Sequence, residues 1–348
     1  MEKIFYSLLI FVPISILANY YNASPVLNFF LAAFAIIPLA KFIGEATEEL
    51  SVYIGSAWGG LLNATFGNAT ELIIGFLAIR SGLIEVVKAS ITGSIIGNLL
   101  LVSGGAIIVG GTYYKKQTFN KTGASAGAST LLLAVIALVI PAIFLQSSPE
   151  VGGAVIEELS VFVSILMIIV YLSSLYFMLN THAHLYTAEV AKYEPKWGKN
   201  KSIGVLLLST LAVSIVSEIL VGSIEPIVTS LGWTELFIGV VFIAIIGNAA
   251  EHTSAILVAK KNRMDLALQI SIGSATQIAM FVAPALVISS LFFSKQMSLI
   301  FNPLELISII LSVLILNMVV SDGESNWLEG LQLLIAYLIL AVAFFLHP

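Results

Sequence analysis

Apolar residues recur in this chain in runs long enough to cross a lipid bilayer, eleven times between Ile4 and Leu346. A crossing helix needs about 20 mostly apolar residues, and within the hydrocarbon each backbone polar group must find its partner inside the segment. The runs therefore specify helices, at 4–21, 25–43, 56–80, 83–111, 125–146, 155–180, 202–228, 234–259, 264–293, 302–320 and 327–346. Only 10% of the residues are charged, whereas a soluble domain carries about 25%. The reading is an all-α polytopic membrane protein. Met1-Glu2-Lys3 and the run to Tyr21 have the outline of a secretory leader, but no small-residue cleavage pattern follows, so 1–22 reads as a retained first helix. The absence of cysteine excludes disulfides and thiolate metal sites. No basic stripe with interleaved aromatics suggests nucleic acid.

The distribution of Lys and Arg orients the chain. With eleven crossings, the N-terminus and the even-numbered loops share one side. That side carries Lys3, Lys41, Lys115, Lys116, Lys121, Lys192, Lys196, Lys199, Lys201, Lys260, Lys261 and Arg263. The other carries only Arg80, Lys88 and Lys295. Twelve of the fifteen basic residues therefore fall on one side, which makes the N-terminus cytoplasmic and the C-terminus external, in a cell (plasma) membrane. The one long polar connection, 181–201, divides residues 23–180 from residues 202–348 as a cytoplasmic linker.

Two of the crossings carry a carboxylate deep within them, and they share a motif. Gly67-Asn-Ala-Thr-Glu71 returns as Gly247-Asn-Ala-Ala-Glu251, 180 residues later, and a basic residue follows each Glu by nine positions. At 1.5 Å per residue this puts each Glu roughly 14 Å from its basic residue, near the centre of a hydrocarbon core about 30 Å thick. A charge there costs roughly 2.5 kcal/mol or more. The two Glu lie on the third and eighth crossings, and the odd offset of five makes the copies enter the membrane from opposite sides. The expected design is one N-terminal helix followed by two inverted five-helix repeats, with a shared site at the midplane. Gly93-Ser94 and Gly273-Ser274 repeat at the same offset.

Asn68 and Asn248 precede their Glu by three residues and so share its helix face. Gly67 and Gly247 weaken the helix and free carbonyls that can act as ligands. Ser94, Ser274, Asn98 and Gln277 add hydroxyl and amide oxygens on the following helices. His252 lies about 100° around its helix from Glu251. Carboxylate, amide, hydroxyl and carbonyl oxygens form a hard donor set that suits Ca²⁺. A lone intramembrane Glu often does no more than pin its helix through hydrogen bonds; two matched copies with Asn and Gly in step argue for a ligand site. Removing a carboxyl from water favours its neutral form, so an empty site would hold protons that Ca²⁺ must displace.

The paired Gly-Asn-Ala-x-Glu motifs, with Gly273-Ser-Ala-Thr-Gln-Ile278, resemble the α-repeats of the calcium/cation exchanger superfamily. Within it the chain is similar to the Ca²⁺/H⁺ antiporter (cation/proton exchanger) family, over nearly its whole length. The resemblance implies one Ca²⁺ carried at the midplane by Glu71 and Glu251 in alternation with protons, with Asn68, Asn248, Ser94, Ser274 and Gln277 around them. It implies no cofactor. Members often carry an acidic segment between the halves; here 181–201 mixes Glu189 and Glu194 with His182, His184 and several Lys.

Glu218, within its helix beside Ser217, reads either as a partner behind the site, toward His252, or as part of a helix break near Gly222. Glu48, with Glu45 and Glu49, reads as an interfacial turn at the cytoplasmic entrance that could also gather cations. Glu85 and Asp265 occupy matched positions at helix starts. A channel is disfavoured by midplane carboxylates in inverted repeats, and an intramembrane hydrolase by the lack of a nucleophile–base pair or a His-Glu-x-x-His helix. Sodium coupling would need further ion sites, and Mn²⁺ remains open beside Ca²⁺. The partners are thus Ca²⁺, protons and the lipid bilayer, and a homo-oligomer is compatible with the sequence.

Overall fold

The structure, a computed structural model, describes residues 2–181 and 195–347. The linker residues His182, His184, Glu189 and Glu194 lie outside the described residues. The helices are α1 (Glu2–Leu8), α2 (Phe11–Tyr20), α3 (Pro25–Ile54), α4 (Ser56–Phe66) and α5 (Ala69–Arg80). They continue as α6 (Ile84–Tyr113), α7 (Lys121–Ser147), α8 (Gly153–Thr181), α9 (Lys199–Gly222) and α10 (Ile224–Leu231). The last are α11 (Glu235–Gly247), α12 (Ala249–Ala259), α13 (Met264–Ser290), α14 (Pro303–Val320) and α15 (Trp327–Leu346). Two dipeptide strands, β1 (Gln117–Thr118) and β2 (Glu324–Ser325), pair antiparallel with Gln117 opposite Ser325.

Among the described residues eight helices are long and apolar enough to cross a membrane, or nine if the bent pair α11–α12 is one crossing. The chain is an integral, multi-pass membrane protein. Four of the runs depart from single straight helices. The run 4–21 is divided into α1 and α2, 56–80 into α4 and α5, and 202–228 between α9 and α10; 234–259 bends by 59° between α11 and α12. The run 25–43 continues through the acidic stretch to Ile54, so Glu45, Glu48 and Glu49 sit on the last turns of a 30-residue helix rather than in a turn. Ala46, Glu48, Glu49 and Leu50 all favour helix. The helix stops at Gly55, whose φ of 85° is left-handed and costs glycine nothing.

The chain forms two compact units. The first holds residues 1–81, 171–233 and 246–250. Its spine is α3, started by Ser24, whose hydroxyl accepts the Leu27 N–H at 3.3 Å. Phe29, Ala32, Ala33, Ile36, Leu39, Ala40 and Ile43 are buried along one stripe of α3 at helical spacing. α9 lies along α3 and also packs on α5.

The second unit holds residues 82–170, 234–245 and 251–348. α6 is deeply buried in it, with Val86, Ala89, Ile95, Ile96, Leu99 and Leu100 all buried. It crosses α11 at two glycines. A Cβ on Gly93 would stand 2.1 Å from the Val240 carbonyl oxygen, and one on Gly239 would stand 2.4 Å from the Ala89 Cβ. Backbones approach this closely in membranes because lipid supplies no hydrophobic drive and packing must do the work. Gly273, the repeat equivalent of Gly93, has nothing within 4 Å of its Cβ position, so the sequence match does not extend to packing there.

These two glycines make a contrast that can be measured. Gly93→Ala must force α6 and α11 apart and should cost about 1–3 kcal/mol or more, as overpacked cores do. Gly273→Ala should leave thermal stability in detergent unchanged. Equal effects from the two substitutions would contradict a backbone-to-backbone crossing at Gly93.

Candidate cation-binding site

Both Gly-Asn motifs break their helices. α4 ends at Phe66 and α5 begins at Ala69; α11 ends at Gly247 and α12 begins at Ala249. At the first break the Gly67 N–H donates to the Asn63 carbonyl at 2.8 Å, and a Cβ on Gly67 would lie 2.5 Å from that same oxygen. Asn68 then leaves the helical region, with φ −105° and ψ 21°. Such breaks free backbone carbonyls, which is tolerable at membrane depth only where protein or a cavity takes them up. The match between the copies continues along the chain. Gly82 and Asn262 both have positive φ, 79° and 58°, 180 residues apart, and π-helical turns occur at Gly97–Val102 and Ile278–Val282. π turns are rare and concentrate at functional sites.

Within the first unit, the first motif's carboxylate lies against the second motif's glycine. A Cβ built on Gly247 would stand 3.2 Å from Glu71 Cγ and 3.4 Å from its Cδ and Oε1. Both Glu71 oxygens are closed off from the protein surface. Asn68 and Asn248 are buried in the same unit. Glu251 follows Gly247 by four residues on α12, and His252 follows it.

Within the second unit, Asn98 joins the two small-residue motifs. Its Nδ2 donates to the Ser94 carbonyl at 2.9 Å and to Ser274 Oγ at 3.0 Å. Asn98, Ser94 and Ser274 are all buried, and Gln277 is half-buried on α13. One step further along, Ser103 and Ser271 share a hydrogen bond of 2.8 Å. Sequence reasoning missed this pair, because neither residue falls in a repeated motif. Among the described residues no three His, Asp or Glu side chains gather into a group that could hold a metal ion. A cation here would need neutral amide, hydroxyl or carbonyl oxygens besides carboxylate.

The other expected acids have definite positions. Glu218 accepts from Arg80 Nη2 at 2.7 Å, so its partner is the cation at the end of the Glu71 helix. α9 does end at Gly222. At the end of α3, Glu45 pairs with Lys41 at 3.2 Å, and buried Glu49 accepts the Trp197 N–H at 3.0 Å. Glu48 between them is exposed. Glu85 pairs with Lys88 at 3.1 Å, and Asp265 accepts the Asn120 N–H. Glu305 escaped the sequence reading. It is buried and accepts from Thr92 Oγ1 at 3.1 Å and from the Asn302 N–H at 2.9 Å. The Asn302-Pro-Leu-Glu305 spacing of a capping box is the signal that identifies it.

The chain matches known proteins over nearly its whole length. The family model described as sodium/calcium exchanger protein matches residues 24–180 and 201–346. A protein from a Synechocystis strain named Ca(2+)/H(+) antiporter is 50% identical, with all of this chain and 98% of that protein aligned. One from Bacillus subtilis, named Ca(2+)/H(+) antiporter ChaA, is 46% identical over 99% of this chain and 100% of its own. The solved structure described as native YfkE superposes with a TM-score of 0.87 at 43% identity, covering 99% of this chain and 100% of that one.

The Glu71–Gly247 approach is directly testable. Gly247→Ala should fold with little change in melting temperature, because the end of a Glu side chain can yield by a few tenths of an ångström. It should weaken divalent-cation binding several-fold by displacing the carboxylate. Unchanged binding by isothermal titration would separate Gly247 from the site.

Proposed function

We propose that this chain, which belongs to the sodium/calcium exchanger protein family, exchanges Ca²⁺ for H⁺ across its membrane. Glu71 and Glu251 bind the ion and the proton by turns near the midplane, in a carrier that opens to one side at a time. The observation that carries the reading is the pair of broken helices, each with a carboxylate just past its Gly-Asn break, together with the seating of Glu71 against Gly247. In discontinuous membrane helices such breaks supply the ion-binding carbonyls of transporters. The names of the relatives support Ca²⁺ and H⁺ as the ions, and no cofactor is needed for that exchange.

Electrostatics supplies the coupling rule. A pair of carboxylates in low dielectric is costly when charged and bare, because neither solvent nor counterion compensates it. Two protons, or one Ca²⁺, bring it close to neutral. Both loaded forms can therefore pass through a closed intermediate, and the empty dianion cannot. Ca²⁺ takes six to eight oxygens, and those beyond the two Glu would be drawn from Asn68, Asn248, Ser94, Ser274, Asn98, Gln277 and the carbonyls at Gly67 and Gly247. Outside this shell, Glu218, paired with Arg80 at the far end of the Glu71 helix, and Glu48 and His252 act only indirectly.

The architecture that goes with this reading is eleven crossings, one N-terminal helix and two inverted sets of five, in a plasma membrane. A reporter fused after Pro348 should then be exported, while one placed at 195–198 stays in the cytoplasm. A cytoplasmic C-terminal reporter would remove the inversion.

Sodium coupling is the second reading, favoured by the description of the matching family. Uptake of ⁴⁵Ca²⁺ into proteoliposomes separates the two. An imposed pH gradient should drive accumulation and an imposed Na⁺ gradient should not. Glu71→Gln and Glu251→Gln should each abolish uptake, since Gln keeps the size and hydrogen bonding but cannot neutralise Ca²⁺ or release a proton. Near-normal uptake by either variant would make that Glu a structural residue.

A further inference from the structure

The second unit gathers six basic residues at one end, in the connections 113–121 and 260–263: Lys115, Lys116, Lys121, Lys260, Lys261 and Arg263, all exposed. Three sets of contacts join these two connections into one built surface with the 321–327 turn. The β1–β2 pairing ties 117–118 to 324–325, and the Phe119 N–H donates to the Gly323 carbonyl at 3.0 Å. The Asn120 N–H donates to Asp265. Lys260 Nζ stands 5.3 Å from the centre of the Tyr113 ring.

The acids of this surface are already engaged within the protein. Asp265 accepts from Asn120, Asp322 from the Glu324 N–H, Glu324 from Lys116, and Glu329 from the Asn326 N–H. Among the described residues, Lys116 alone of the six cations forms an ion pair with a carboxylate. Five cations therefore face outward without a carboxylate. The contrast with the cations Arg80 and Lys88 is sharp, since each of those is paired with a Glu.

The surroundings identify what would balance these charges. Tyr113 and Trp327, 59% and 54% exposed, flank the surface where α6 ends and α15 begins. Aromatic rings of this kind mark the headgroup level of a bilayer. Basic clusters next to membrane helix ends attract anionic lipid over a Debye length. We propose that the surface formed by 113–121 and 260–263 binds the phosphate headgroups of anionic phospholipids. A headgroup held there bridges the end of α12, the helix of Glu251, to the α6–α7 connection, and so stiffens that helix end. The bound species is a lipid and not free phosphate, because the cations lie beside aromatic and apolar helix ends and not in an enclosed pocket.

The test compares full-length protein in nanodiscs of phosphatidylcholine alone with nanodiscs containing phosphatidylglycerol. Wild-type protein should melt higher with phosphatidylglycerol, and the gain should shrink as salt is raised. The combined variant Lys115→Gln, Lys121→Gln, Lys260→Gln, Lys261→Gln and Arg263→Gln should lose more than half of that gain. Changing the four Lys to Arg should keep it, as should Lys295→Gln, at a loop outside this surface. Should the fivefold variant fail to fold, Lys260→Gln with Arg263→Gln should still lose part of the gain. An undiminished gain in the neutralised variants would overturn the proposal. So would an equal gain from inorganic phosphate added to delipidated protein in detergent.

Discussion

A carboxylate taken out of water has to be neutralised, and the rest of this molecule follows from that requirement. Glu71 has both oxygens closed off from the surface and lies against the backbone of Gly247. On the proposed reading its charge is met in turn by a proton and by Ca²⁺, and transport is the alternation between them. On the same reading, the desolvation cost of a bare ion, several kcal/mol after relaxation, would forbid the empty carrier from returning. A fixed cation at the site would satisfy the same requirement permanently and would leave nothing to carry. The basic residue of the Glu71 helix, Arg80, is nine residues away and bound to Glu218.

The scaffold serves that carboxylate by bringing backbone close to side chain. Gly67 permits the break that ends α4, Gly247 leaves room for Glu71, and Gly93 and Gly239 let α6 meet α11 at backbone contact. None of these roles involves hydrophobic burial, which gives no preference between protein and lipid. Large apolar side chains such as Met318 and Ile339, 76% and 64% exposed, stand where lipid tails would cover them.

Much of this was legible in the sequence, because the strongest signals have simple physical causes. Apolar runs near the bilayer's thickness pointed to a helical membrane protein, and the Gly-Asn-Ala-x-Glu repeat singled out Glu71, whose oxygens the structure closes off, and Asn68, which it buries. The helix breaks were half visible: glycine announced weakness at 67 and 247, but hydropathy averages over a window and reads 56–80 as one continuous span. The continuation of α3 past Ile43 was hidden for a related reason, since charged helix formers look like a loop to a hydropathy scale. Partners were the least legible. Glu218 with Arg80, Asn98 with Ser274, and Thr92 with Glu305 lie 138, 176 and 213 residues apart, and no local pattern encodes such distances.

Competition between Ca²⁺ and protons for the same carboxylates is the central claim, and binding without any gradient tests it most directly. Ca²⁺ affinity of the purified protein in detergent would be measured from about pH 5 to about pH 9. Protons occupy the site at low pH, so affinity should rise with pH and level off once both carboxylates are ionised. Because the two Glu are coupled, the titration reports the pair, and the slope of log affinity against pH should approach about two if both protons must leave. An affinity that does not change across that range would contradict direct competition and, with it, exchange through Glu71 and Glu251.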